Sequence, residues 1–188
     1  MTAITTTRNG IDVAQVYGTL DAIAADSSLA RFEFRVSNRW ISGTHSRSTI
    51  QGFHGAGQED ASRETPFVVD ASEPPVLLGH NEAPNPAELL MHALAGCLTL
   101  TIVNVAAARK VTLTEVSSRL EGELDARGAL GLDDSVRNGF QRLSIAFTVR
   151  GEASPEKLRE IVERAKARSV VYDIVTNGVP VDISAEVG

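Results

Sequence analysis

One thiol sets the chemical possibilities of this chain: Cys97 is the single cysteine in 188 residues. An intramolecular disulfide is excluded by arithmetic. A lone cysteine can be a nucleophile, a metal ligand or a small buried apolar side chain. The nucleophile must be ionised, because the thiolate reacts and a free thiol titrates near about 8.5. Cys97 lies within the apolar run LLMHALAGCLTLTIVNVAAA, residues 89–108. That is mid-helix, where the positive end of its own helix gives little help. A charge partner must come from elsewhere in the fold. Residue type alone favours the packing role.

Other chemistry is sparse. Steps of four and three place Cys97, Thr101 and Asn104 on one helical face. Thr101 can bond back to the carbonyl at 97. Asn104 faces either a partner helix or a pocket beside the cysteine. Glu88 stands three residues after Asn85, the spacing of a capping box. Nine residues separate Glu88 from Cys97, which sets them roughly opposite around an ideal helix. His45, His54, His80 and His92 are scattered, and no pair has the spacing of a helical zinc motif. No metal and no cofactor is expected. GFHGAGQ lacks the Lys-Ser/Thr of a phosphate loop, and no Gly-x-Ser-x-Gly elbow occurs.

The elements that must carry these residues follow from periodicity. Val13, Val16, Leu20 and Ile23 suggest a short amphipathic helix over 11–24. Phe32, Phe34 and Val36 alternate with charged residues over 31–41, which reads as a strand. SGTHSRS resembles a turn, STIQGF a second strand, and GFHGAGQEDASRE a mobile Gly-rich loop. PFVVD reads as a third strand, and EPPVLLGHNEAPNP holds too many prolines for regular structure. Asn85 as N-cap and Pro86 as first residue start a helix expected to reach about Arg109. Gly96 inside it is costly unless something packs closely there. Alternation predicts strands over 116–124 and 143–149 around a turn-rich stretch, DARGALGLDDSVRNG. Ser154 and Pro155 open another helix, ending near Arg168. SVVYDIVTNGVPVDISAEV should give a helical turn, a turn at Asn177-Gly178 and a last strand. The pattern is α+β, antiparallel sheet packed on one very apolar helix. Residues 1–30 read as an N-terminal helical extension and 31–188 as the main domain.

Bulk properties narrow the function. Hydrophobic residues make up 43% and charged residues 22%, a globular composition. A net charge of -6 and a pI near 5.2 argue against a nucleic-acid surface. The opening MTAITTTRNG lacks the apolar core of a signal peptide. With a single thiol, this leads to a reducing, cytoplasmic setting as the expectation. The 89–108 run is long enough to cross a bilayer, but it carries His92, Thr99, Thr101 and Asn104. A buried helix of a soluble domain is the expectation, with no membrane partner.

Three segments carry a resemblance. PNPAELLMHALAGCLTLTI resembles the central helix of the OsmC/Ohr family, with its Asn-Pro start, an apolar turn and a cysteine among small residues. SVVYDIVTNGVPV resembles the stretch that holds that family's second cysteine. RWISGTHSRSTI resembles the N-terminal hairpin that supplies an arginine. The resemblance covers residues 31–186 in order and leaves 1–30 and the 52–64 loop outside the core pattern. It implies an intertwined homodimer, with antiparallel sheets wrapped around two central helices. It implies Cys97 as a nucleophile that reduces organic hydroperoxides. It implies Arg47, with Arg39 behind it, as the cation near the sulfur, and a glutamate for which Glu88 is the candidate. In peroxidatic relatives that glutamate directly follows Asn-Pro, where this chain has Ala87. Ser169 falls at the second-cysteine position, so a two-cysteine cycle is excluded, and a sulfenic acid on Cys97 is either resolved by an external thiol reductant or over-oxidised. Tyr172 and Asp173 travel with that segment and are expected near the interface. Two functions stand: a one-cysteine thiol peroxidase in oxidative-stress defence, or a non-catalytic dimer that binds an apolar ligand or partner and keeps Cys97 for structure.

Overall fold

The computed structural model describes residues 7–188. Contacts gather the described residues into two units: residue 7 with 12–92, and residues 8–11 with 93–188. The division falls inside one continuous helix. A short hairpin of β1 (Thr7–Arg8) and β2 (Ile11–Asp12) precedes helix α1 (Val13–Ala25). Asp12 caps α1 by accepting from the amides of Ala14 and Gln15. The expected helix exists, yet none of its residues is buried. After a 3-10 turn, Ser27–Ala30, come β3 (Glu33–Phe34) and β4 (Ser37–Ser42).

The first unit continues with β5 (His45–Ile50), β6 (Phe53–Gly55), β7 (Gln58–Asp60) and β8 (Phe67–Ala71). They make two antiparallel three-stranded sheets, ordered β4-β5-β8 and β3-β6-β7. Two expectations need correction here. The turn read in SGTHSRS shrinks to Gly43-Thr44, and the strand begins at His45. The loop read in GFHGAGQEDASRE is a hairpin, with Ala56 and Gly57 at φ 51° and 79° between β6 and β7. Two successive positive φ values make the tight primed turn that matches strand twist. Glycine at one position and alanine at the other hid that turn, since alanine rarely adopts it.

Helix α2 (Pro86–Ala108) starts as its cap predicts. The Asn85 amide donates to Glu88 Oε2 at 2.8 Å, and the Glu88 amide donates to Asn85 Oδ1 at 2.8 Å. Lys110 at φ 60° ends the helix and turns the chain into β9 (Leu113–Glu123). The Asn9 side chain clamps this turn, donating to the Val111 carbonyl and accepting from the Leu113 amide. A short helix α3 (Ala126–Ala129) then leads to β10 (Arg142–Gly151), antiparallel to β9 from Arg142↔Glu123 onward.

Helix α4 (Pro155–Lys166) is capped by Ser154, and helix α5 (Val170–Asn177) by Ser169. The core of this second unit joins Ile102, Val105, Ala106, Val111, Ile161 and Ala165, flanked by Phe147, Val149, Leu158 and Val162. Fully buried Ile102 and Ile161 each contribute about 1.5–3 kcal/mol through removal from water. The last strand expected after Gly178 is not formed in the single chain: residues 179–188 are exposed and belong to no sheet.

Candidate functional site

Cys97 on α2 meets the first turn of α5. Ser169, 2% exposed, donates its hydroxyl proton to Cys97 Sγ at 3.2 Å. The same oxygen accepts the Tyr172 amide at 3.3 Å, which is its capping bond. A helix N-terminus leaves its first amides without intrahelical partners and carries partial positive charge. Here the amides of Val171 and Val170 act on the sulfur as well. Burial raises the Cys97 pKa, but the hydroxyl of Ser169, the two amides and Thr101 outweigh it. The thiol therefore titrates below its ordinary value. Thr101 gives the least, because its proton is engaged by the Cys97 carbonyl at 2.7 Å, as the helical spacing predicts.

The groups that act on the sulfur within this unit belong to a helix end. Sequence reasoning placed Ser169 at the second-cysteine position but missed its capping role and the two valine amides. The signal was present: a serine immediately before the apolar helical run VVYDIV is a start signal. Tyr172 and Asp173 share that first turn. The Asp173 amide donates to the Ser169 carbonyl at 3.0 Å, and its carboxylate accepts from Asn177 at 2.7 Å. Asn104 lies exposed on α2.

Arg47 and Arg39 sit opposite each other across β4 and β5 in the first unit. Arg47 is engaged there. Its Nε and Nη2 grip Asp70 Oδ1 and Oδ2 at 2.7 and 2.8 Å, a two-pronged pair. Arg47, burial and His45 act together on Asp70, and the net result is a carboxyl held down to about 2. His45 Nε2 lies 3.3 Å from Asp70 Oδ2. Asp70 was invisible as a partner in sequence, because cross-strand pairing needs the register of β5 against β8. Glu88 has its carboxylate on the Asn85 amide, which is the capping role.

A cavity of about 290 Å³ lies beside this part of the second unit. Leu98, Ile102, Leu143, Phe147, Val162 and Tyr172 line it, with Glu163 and Lys166 at its polar side. Among the described residues, no three His, Cys, Asp or Glu side chains converge to hold a metal ion.

Residues 79–184 match the family model described as OsmC-like protein. No curated protein matches the chain in sequence. Several solved structures share its fold. An osmotic-stress-induced and detoxification-response protein from Psychrobacter arcticus 273-4 aligns at a TM-score of 0.56 and 16% identity, over 76% of this chain and 88% of that one. An OsmC-like protein from Mycoplasma pneumoniae aligns at 0.55 and 13% identity, over 76% and 86%. An organic hydroperoxide resistance protein, OsmC, from Legionella pneumophila aligns at 0.51 and 18% identity, over 77% and 90%.

Proposed function

Because this chain belongs to the family of OsmC-like proteins, we propose that it is a one-cysteine thiol peroxidase that reduces organic hydroperoxides in the cytoplasm. The observation that supports this reading is the α5 N-terminus aimed at Cys97, with Ser169 Oγ 3.2 Å from the sulfur. Such a cradle favours the thiolate, which is the reactive form. It requires no guanidinium, so Arg47 can remain on Asp70 and Arg39 on its exposed strand.

The cycle runs in two stages. The Cys97 thiolate attacks the terminal oxygen of the hydroperoxide, an S–O bond forms and the O–O bond breaks. The alkoxide leaves, takes a proton and becomes the alcohol, and Cys97 becomes a sulfenic acid. Ser169 carries no sulfur to condense with it. An external thiol attacks the sulfenic sulfur, giving a mixed disulfide and water. A second thiol releases reduced Cys97 and the oxidised reductant. The test is to treat reduced protein with cumene hydroperoxide and trap with dimedone. An adduct on Cys97, absent from Cys97→Ser, supports the reading; an unreactive wild type contradicts it.

The unit of action in this proposal is a homodimer. Ala93, Gly96, Leu100 and Asn104 form an exposed stripe along α2, and Leu100 is 55% exposed. A methyl built on Gly96 would meet nothing within 4 Å. Glycine in a helix interior costs about 1 kcal/mol against alanine. Among the described residues nothing calls for it, whereas the close approach of a second α2 would.

The apolar cavity beside Tyr172 favours a second reading, a non-catalytic dimer that holds an apolar ligand there. Native mass spectrometry of the purified protein separates the two. A copurifying lipid-like mass together with an unreactive Cys97 selects this alternative.

A further inference from the structure

Once Cys97 is a sulfenic acid, the thiol that reduces it must arrive from outside, because the chain has no second cysteine. What arrives is selected by the groups that stand around the sulfur. Ser169 Oγ lies 3.2 Å from Sγ, and the residue before Ser169 in the chain is Arg168. Arg168 sits in the turn between the last residue of α4, Lys166, and the first of α5, Val170. Neighbouring Cα atoms are about 3.8 Å apart. The Arg168 side chain therefore starts one residue from the group that touches the thiol.

The charges on these elements are unevenly engaged. On α4, Lys157 pairs with Glu160, Arg159 with Glu156 and Lys166 with Glu163. Arg109 of α2 also pairs with Glu160. On α5, the Asp173 carboxylate accepts from the Asn177 amide at 2.7 Å, toward the far end of that helix. Arg164 and Arg168 are exposed, and among the described residues neither makes a side-chain hydrogen bond or an ion pair. Arg164 lies in the last turn of α4, where a cation complements the helix dipole. Arg168 lies past the C-cap, Ala167, and is the unengaged cation next to Ser169. The positive end of α5 acts at the same place.

We infer that the reductant of oxidised Cys97 is a small thiol that carries a carboxylate, held by the Arg168 guanidinium while its sulfur reaches Sγ. The inference rests on the peroxidase reading above. A guanidinium suits a carboxylate because two parallel N–H donors meet two oxygens. The thiolate of the reductant attacks the sulfenic sulfur of Cys97. An S–S bond forms, the S–O bond breaks, and hydroxide leaves and takes a proton to become water. A second molecule of the thiol attacks the outer sulfur of the mixed disulfide. That step frees the Cys97 thiolate and the disulfide form of the reductant. An uncharged thiol, or one bearing a cation, gains nothing from Arg168.

The test oxidises the full-length protein with one equivalent of cumene hydroperoxide. Dimedone added alone reads how much sulfenic acid has formed and normalises each variant. Glutathione or glutathione diethyl ester, matched in thiolate concentration, then competes with dimedone, and mass spectrometry reads the mixed disulfide on Cys97. Glutathione should react faster than its ester by about threefold, the size of one exposed ion pair. Arg168→Gln should remove that advantage, and so should about 1 M salt in the wild type. Arg168→Lys, which keeps the charge, and Arg159→Gln, which removes a cation farther along α4, should retain it. Equal rates for the two thiols in the wild type overturn the inference and leave the peroxidase reading intact. So does an advantage that survives Arg168→Gln or salt, or one that Arg159→Gln removes equally. Absence of any dimedone adduct overturns both.

Discussion

The Ser169 hydroxyl both caps α5 and donates to Cys97 Sγ at 3.2 Å. One side chain thus links the polarity of a helix end to the only thiol in the chain. In a relative with two cysteines, a sulfur at this place would be the natural resolving partner. Here the same spot supplies a hydrogen bond instead. The chemistry that follows differs in what comes after oxidation, since the serine can stabilise the thiolate but cannot reduce the sulfenic acid.

Restoring sulfur at that place should restore the resolving step. In Ser169→Cys, the two sulfurs replace groups 3.2 Å apart, and a disulfide needs about 2.05 Å with modest adjustment. After one equivalent of hydroperoxide, both thiols should disappear from a thiol titration and return with a dithiol reductant. Persistence of one free thiol with a dimedone-reactive Cys97 would show that the two positions cannot bond.

Glu88 offers a clean separation of capping from catalysis. Glutamine serves the third helical position of a capping box as well as glutamate does. Glu88→Gln should therefore keep peroxide reactivity within about two-fold and leave thermal stability nearly unchanged, whereas Glu88→Ala should cost about 1 kcal/mol of stability. A large loss of reactivity in Glu88→Gln, with the fold intact, would assign the carboxylate to the reaction.

Much of this was legible from spacing alone. The Asn85-Pro86 start and the Ser154-Pro155 start each located a helix to within a residue, because caps are local chemistry. The alternation of Leu143, Ile145, Phe147 and Val149 located β10 for the same reason, since one face is buried. The hairpin at Ala56-Gly57 was not legible, because its turn places an alanine at positive φ. The strand expected after Gly178 has the right pattern, but a pattern names a buried face without naming what buries it. The cradle around Cys97 escaped for a related reason. Two of its donors are backbone amides of valines, and side-chain type says nothing about where an amide points.

Acid should weaken the first unit through Asp70. Its folded pKa, about 2, lies below the ordinary 3.8. The Arg47 pairing thus contributes fully above the unfolded value and is lost as pH falls through the folded one. Asp125, lowered to about 2 by Arg127, behaves alike in the second unit. Urea midpoints measured from pH 5 to 2 should fall with acidity, and Asp70→Asn should make that fall shallower. An unchanged slope would mean that the Arg47–Asp70 pair does not persist in solution.

The proposed homodimer makes a prediction at the α2 stripe. Leu100→Glu places a charge at its centre, at a side chain already 55% exposed in the single chain. A buried unpaired carboxylate across a dimer interface costs several kcal/mol, so the variant should shift from dimer to monomer by light scattering while its circular dichroism is retained. A dimer as stable as wild type would move the interface to another face.

The central claim concerns the ionisation of one sulfur, and the pH dependence of Cys97 alkylation by iodoacetamide measures it. The wild type should react with a midpoint below that of the same thiol in the urea-unfolded protein, and Ser169→Ala should raise that midpoint by removing a hydrogen bond to the thiolate. A wild-type midpoint at or above the free-thiol value, or one that Ser169→Ala leaves in place, would contradict the account.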